Sequence, residues 1–166
     1  PKLSIEMRYN EAGEQRMFLD GEDVSEAIRM PEISICASDV SSLPAVRSFL
    51  LEMQRKLARE HNVVMDGRDI GTVVLPDADL KIFLTASAEQ RAKRRMLELG
   101  AKGVNASFDE VLKDIEYRDE QDTKRAAAPL RAAEDAVHVD TSSLNFEESA
   151  ALLAGLVIDR LSPKQE

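Results

Sequence analysis

Three groups of residues in this 166-residue chain have types and spacings that could do chemistry. The first is Val63-Val64-Met65-Asp66-Gly67-Arg68-Asp69-Ile70-Gly71-Thr72. An apolar run that stops at charged residues and glycine reads as a buried parallel strand with functional groups at its C-terminal end, where open α/β sheets bind ligands. Asp66 is the first polar residue after the run. There a carboxylate in a phosphate-handling site holds Mg²⁺ or its water. Asp69 could accept from an exocyclic amine and Arg68 could donate to ring acceptors, as a cytosine edge would require.

The second group is Arg91, Arg94 and Arg95, spaced i, i+3, i+4 and so on one helix face. Several guanidinium forks on one face suit a polyphosphate. With Glu89 and Glu98 nearby, the same face also reads as a solvated surface of mixed charge. The third group is Arg118, Asp122 and Arg125 at i, i+4, i+7, a carboxylate between two guanidiniums. It fits either an intrahelical salt-bridge ladder or a nucleotide site, with arginines on a phosphate and the aspartate on ribose hydroxyls. Against a phosphate reading stands an absence: no Gly-Lys dipeptide occurs, hence no G-x-x-x-x-G-K-[ST] loop. His61 and His138 have no neighbours at metal-ligand spacing, and His138 reads as structural. No Ser-His-Asp or Cys-His arrangement supports nucleophilic hydrolysis.

Elements must position these groups. Ser4–Arg8 and Arg16–Leu19 around Asn10-Glu11-Ala12-Gly13 read as a hairpin. Ser42 before Pro44 reads as an N-cap, opening a helix with Val46, Phe49, Leu50, Met53 and Leu57 on one stripe. Strands are expected at Val63–Met65, Leu80–Leu84 and Ala136–Asp140. Ser87 with Gln90 and Ser107 with Glu110 read as capping boxes. The first helix stops near Gly100, and the second turns Val111, Leu112 and Ile115 inward. Pro129 ends that segment, Phe146–Leu161 is a closing amphipathic helix, and the tail Ser162–Glu166 is expected to fray. Strands separated by helices imply a parallel sheet covered on both faces.

Composition narrows the classes. The length suits one domain with a sizeable core, or one plus a small insert. Hydrophobic content of 43% and charged content of 32% are ordinary for a soluble globular protein. A net charge of −9 argues against general nucleic-acid binding. No apolar stretch or signal peptide suggests a membrane or secretion. The single cysteine, Cys36, fits a reducing cytoplasm and, inside the apolar run Ile33–Ala37, reads as a buried structural thiol.

Taken together these pieces resemble bacterial cytidylate kinase. The resemblance rests on Asp66-Gly67-Arg68-Asp69-Ile70-Gly71-Thr72-Val73-Val74, Pro76-Asp77-Ala78, Lys81-Ile82-Phe83-Leu84, and Arg91-Ala92-Lys93-Arg94-Arg95. It continues through Tyr117-Arg118-Asp119, Asp122 and Arg125-Ala126-Ala127-Ala128-Pro129-Leu130. Upstream, Leu19-Asp20-Gly21-Glu22-Asp23-Val24 and Ile28-Arg29 look like the family's monophosphate-binding insert. The resemblance implies an α/β fold of the P-loop nucleoside-monophosphate-kinase type, a parallel sheet flanked by helices. The expected division is a β-containing insert over 1–43 and a core over 44–166, with lid helices about 87–125.

The resemblance also implies roles. Ser38, Arg47 and Asp69 would read the cytosine base; Arg68, Arg118 and Arg125 would hold the monophosphate, and Asp122 the ribose. Arg91, Arg94 and Arg95 would belong to the lid over ATP, and Asp66 would stand near Mg²⁺, through water. Catalysis would fall to Asp66, Arg68, Arg95 and Arg125. The implied reaction is Mg²⁺-dependent transfer of the ATP γ-phosphoryl group to CMP or dCMP, in a cytoplasmic protein expected to be a monomer, with no nucleic-acid or membrane partner. The family's phosphate loop and its Asp-[ST]-Gly-Ala-x-Tyr-Arg segment are missing, and with them the first strand and helix. The expectation is therefore a truncated chain, inactive alone. The alternative is a non-catalytic module that binds cytidine nucleotides.

Overall fold

The computed structural model describes residues 3–30, 33, 36, 37, 40, 43–101 and 103–162. Its contacts divide the chain into two compact units, Pro1–Met53 and Gln54–Glu166.

The first unit is built on a three-stranded antiparallel sheet, β1 (Ile5–Tyr9), β2 (Gln15–Leu19) and β3 (Glu22–Asp23), in that order. Turn chemistry sets its register. Asn10 Oδ1 accepts the amides of Ala12 and Glu14, Gly13 takes φ +78°, and Met7 then faces Met17. The expected hairpin is therefore formed. The third strand adds to that hairpin. It follows a two-residue turn in which Asp20 and Gly21 have φ +50° and +87°. Paired positive φ values match the right-handed twist of hairpin strands, which makes Asp-Gly a strong turn signal. Ser25 is fully buried beside it: its hydroxyl accepts the Met17 amide and donates to Asp23 Oδ1.

Cys36 does not meet its expectation. It is exposed, as are the neighbouring Ile33 and Val40. The expected cap Ser42 lies outside the described residues. Helix α1 (Pro44–Glu60) begins at the proline and runs across the division between the units. None of its residues is fully buried, and Phe49 from its apolar stripe is exposed.

In the second unit β4 (Ile82–Thr85) pairs in parallel with β5 (Val137–Asp140), with Phe83 opposite His138. Their rings lie 5.3 Å apart at an interplanar angle of 50°. Between these strands run α2 (Ala88–Ala101) and α3 (Phe108–Lys124), which pack against each other. Ser107 caps α3 with a complete capping box: its hydroxyl accepts the Glu110 amide and the Glu110 carboxylate accepts the Ser107 amide. Ser87 accepts the Gln90 amide at the start of α2. Helix α4 (Phe146–Leu161) closes the unit over the range expected, started by a capping box between Asn145 and Glu148.

Two expectations need correction. Val63–Met65 is not a strand. Val64 is 99% exposed, and among the described residues no segment lies alongside to complete a ladder. A strand exists only as one side of such a ladder. The parallel sheet accordingly has two strands among the described residues. Among the described residues the core is also small, its buried apolar side chains being Val74, Ala92, Val111 and Val139. Of the inward-facing residues expected on α3, Val111 is buried while Leu112 and Ile115 are half-buried.

Candidate functional site

The loop 66–69 and the turn that follows it form the floor of the site. Ile70–Val74 winds as one wide π-type turn, in which the Asp69 carbonyl accepts the amides of Val73 and Val74. Two glycines let this segment fold tightly. A Cβ on Gly67 would lie 2.8 Å from Ile70 Cγ1, and one on Gly71 would lie 3.4 Å from the Lys81 stem. Lys81 stays in place by pairing with both carboxylate oxygens of Asp135 at 2.8 Å. That hydrogen bond is the largest influence holding the Asp135 carboxyl below its ordinary value. The far end of the turn is fixed by Arg55, which donates from Nη2 to the Val73 carbonyl (2.8 Å) and from Nε to the Val74 carbonyl (3.0 Å).

This floor meets the C-terminal end of α3. Arg68 Nε donates to Asp122 Oδ2 at 2.8 Å. Arg125 stands 3.8 Å from both Asp69 Oδ1, through Nη2, and Asp122 Oδ1, through Nη1. Two guanidiniums and two carboxylates thus alternate within one cluster. Arg68, half exposed, gains less than about 1 kcal/mol from its pair, so stability alone gives the pairing little value. Arg125 is more enclosed. Its Nε donates to the Ala128 carbonyl, while Nη2 is buried with no hydrogen-bond acceptor among the described residues. Buried donors are normally satisfied. This one is aimed into the cluster at hydrogen-bonding strength left unused. The segment after α3 curls back to make this possible: Ala128 takes φ +50° and the Leu130 amide donates to the Asp122 carbonyl.

The structure thus brings Arg68, Asp69, Asp122 and Arg125 together. Arg118 is exposed on α3 and has no ion pair among the described residues. Arg47 lies on α1 in the first unit, and Ser38 falls outside the described residues. The three arginines of α2 go to separate partners. Arg91 forms a bidentate pair with Asp119 on α3, which raises its guanidinium above the ordinary value, and also donates to the Ala86 carbonyl at 3.0 Å. Arg94 donates to the carbonyls of Thr141 and Leu144. Arg95 pairs with Glu98 on its own helix.

A cleft of about 500 Å³ opens beside the cluster, lined among others by Asp66, Arg68, Thr72, Thr85, Arg91 and Arg131. Asp66 is exposed at its edge. Among the described residues no three histidine, cysteine or acidic side chains gather as a metal cage. A single carboxylate with open space in front of it fits a cation that keeps most of its waters, as Mg²⁺ does. The sequence assigns Asp119 no role beyond its place in the Tyr117-Arg118-Asp119 string, and Arg55 none at all. Asp119 was legible as the residue after Arg118; Arg55 was not, because its acceptors are backbone carbonyls 18 and 19 residues away.

Fold and site together define an α/β protein with a mixed guanidinium–carboxylate cluster at a helix end, suited to a small ligand carrying both anionic and hydrogen-bonding groups. The cytidylate kinase family model matches residues 2–157, and the chain belongs to that family. It is 57% identical over 136 residues to a cytidylate kinase of Caldicellulosiruptor bescii, a match covering 82% of this chain and 60% of that protein. It is 53% identical over 143 residues to one from Carboxydothermus hydrogenoformans (86% and 64%), and 52% identical over 147 residues to one from Pseudomonas syringae pv. tomato (88% and 64%). The chain therefore spans a little under two thirds of the length of these curated relatives. No helix among the described residues is long and apolar enough to cross a membrane.

Proposed function

We propose that this chain carries the acceptor side of a nucleoside monophosphate kinase site, acting on CMP or dCMP with ATP as donor. The observation that carries the reading is the buried, unused Nη2 of Arg125 beside Asp69, Asp122 and Arg68. Arg125, Arg68 and the exposed Arg118 hold the acceptor phosphate; Asp122 accepts from the ribose, and Asp69, with Ser38 and Arg47, reads the base. Arg68 releases Asp122 when the phosphate arrives, exchanging one carboxylate for a stronger anionic partner.

In the reaction a phosphate oxygen of CMP attacks the γ-phosphorus of ATP. The bond from that phosphorus to the bridging oxygen breaks, and ADP leaves with the electron pair. The attacking oxygen is already an anion, so these residues need only orient it and offset charge repulsion. Asp66 would hold Mg²⁺ through water, and the ion would neutralise phosphate charge. Arg91, Arg94 and Arg95 belong to the lid over ATP. For that role Arg91 and Arg95 exchange carboxylate partners for phosphate, whereas Arg94, bound to carbonyls, fixes the 141–144 turn that borders α2. The protein acts in the cytoplasm, as a monomer. Because the sequence holds no Gly-Lys dipeptide, the donor-phosphate loop is not supplied by these 166 residues. The same absence favours, as a second reading, a module that binds cytidine nucleotides without transferring phosphate.

Calorimetry on Arg125→Ala tests the acceptor site. Losing charge-assisted hydrogen bonds to the phosphate should weaken CMP binding by about 1.5–3 kcal/mol, while cytidine, which lacks the phosphate, binds as before. An equal loss for CMP and cytidine would remove Arg125 from the phosphate site.

A further inference from the structure

Arg55 faces none of the groups that meet the nucleotide in the reading above, yet it is tied to the segment that carries one of them. Ile70–Val74 is a single wide turn, and nothing within it satisfies its last carbonyls. Arg55 supplies both missing donors, to Val73 and Val74, from a half-buried position on α1. A cation at the C-terminal end of a turn also meets the negative end of its backbone dipole. At the other end of the same turn is Asp69, whose carbonyl accepts the Val73 and Val74 amides. Val73 and Val74 are therefore gripped from both sides, by Asp69 through their N–H groups and by Arg55 through their C=O groups. Val74 is also one of the few buried apolar residues among those described, so this end of the turn is the anchored one.

We propose that Arg55 is a positioning residue for Asp69, holding the turn that fixes the height and direction of its carboxylate, and that it thereby sets discrimination for the base. A single turn of five residues has no flanking turns to keep its shape. Without Arg55, two carbonyls turn toward water, the Asp69–Val74 hydrogen bonds loosen, and the carboxylate samples a wider range of positions. A base amine gains from a carboxylate held at one distance and angle. The consequence falls on selectivity, so a cytosine nucleotide loses more affinity than a uracil nucleotide, which has no amine to offer.

This inference rests on the acceptor-site reading for Asp69, and the experiment separates the two. CMP and UMP affinities would be measured by calorimetry on this chain and on its Arg55→Met, Arg55→Lys and Asp69→Asn variants, with amide hydrogen exchange at Val73 and Val74. Arg55→Met keeps the apolar stem and removes both donors; it should lower the CMP-to-UMP affinity ratio by about fivefold or more, equivalent to ~1 kcal/mol. It should also speed exchange at Val73 and Val74 while leaving the amides of β5 unchanged. Arg55→Lys, with a donor still in reach of a carbonyl, should restore part of both. An unchanged ratio in Arg55→Met alongside a collapsed ratio in Asp69→Asn would overturn the role of Arg55. If Asp69→Asn leaves the ratio intact, the base-reading assignment fails instead. Exchange at Val73 and Val74 then still decides whether Arg55 holds the turn, and unchanged exchange there overturns it.

Discussion

Gly67→Ala is a small perturbation whose effect follows from two distances. The new methyl would sit 2.8 Å from Ile70 Cγ1 and 3.0 Å from Cδ1, both inside the closest approach of carbon atoms. Gly67 does not need a left-handed backbone, so alanine is conformationally admissible there. It even gains about 0.4–1 kcal/mol by restricting the unfolded chain. Overpacking costs more, about 1–3 kcal/mol, because Ile70 must leave its rotamer or the turn must shift. The net expectation is destabilisation of about 1–2 kcal/mol. Ile70 begins the turn that follows Asp69, so the shift carries into the cluster and CMP binding weakens with stability. Urea melts of the parent, Gly67→Ala, Ile70→Ala and the double variant would read this directly. Removing the Ile70 side chain relieves the clash, so the two substitutions should couple favourably by about 1–2 kcal/mol. Additivity within about 0.5 kcal/mol would show that the close approach of Ile70 does not constrain position 67.

Two further expectations concern other parts of the chain. Asp23 is held at a pKa of about 2, first by the Ser25 hydroxyl, then by the Ser25 amide and Arg16; a depressed carboxyl stabilises the fold above its ordinary 3.8, and that contribution disappears as pH falls through about 2. NMR titration should find this midpoint and should find it moved upward in Ser25→Ala; an unmoved midpoint would assign the depression to the residue-25 amide and Arg16 instead. The 166-residue chain alone should bind CMP yet give no CMP-dependent ADP in a coupled assay, and detectable turnover would mean that the donor phosphates are gripped without a Gly-Lys loop.

Legibility in the sequence followed how locally each feature is determined. The hairpin at Asn10–Gly13, the capping box at Ser107 and the helix Phe146–Leu161 depend on residues a few positions apart, and their spacing was enough. The same local logic holds at Asp20-Gly21, whose turn makes β3, and at Asn145 with Glu148. The convergence of Arg68, Asp69, Asp122 and Arg125 was foreshadowed by residue type and by family resemblance, but no periodicity could reveal that Arg68 and Asp122, 54 positions apart, would touch. Val63–Met65 misled for a related reason. Its β-branched residues favour a strand, but pairing is a property of what lies alongside. Arg91 and Arg95 share a helix face as read, and the long reach of arginine sends them to different carboxylates.

The parallel pairing of β4 with β5 has a consequence for the order in which this unit assembles. The Thr85 hydroxyl meets the Val139 carbonyl 54 residues further along the chain, and the entropy of closing so long a loop must be lost before a ladder of four residue pairs can repay it. Helices α2 and α3 fill that interval and pack on each other, so they shorten the span the chain must close. The expected order is therefore helical hairpin before sheet, with substitutions at the Ser107 cap giving higher φ-values than substitutions in β5. On that order the strand ends that border the cleft would take their final form last.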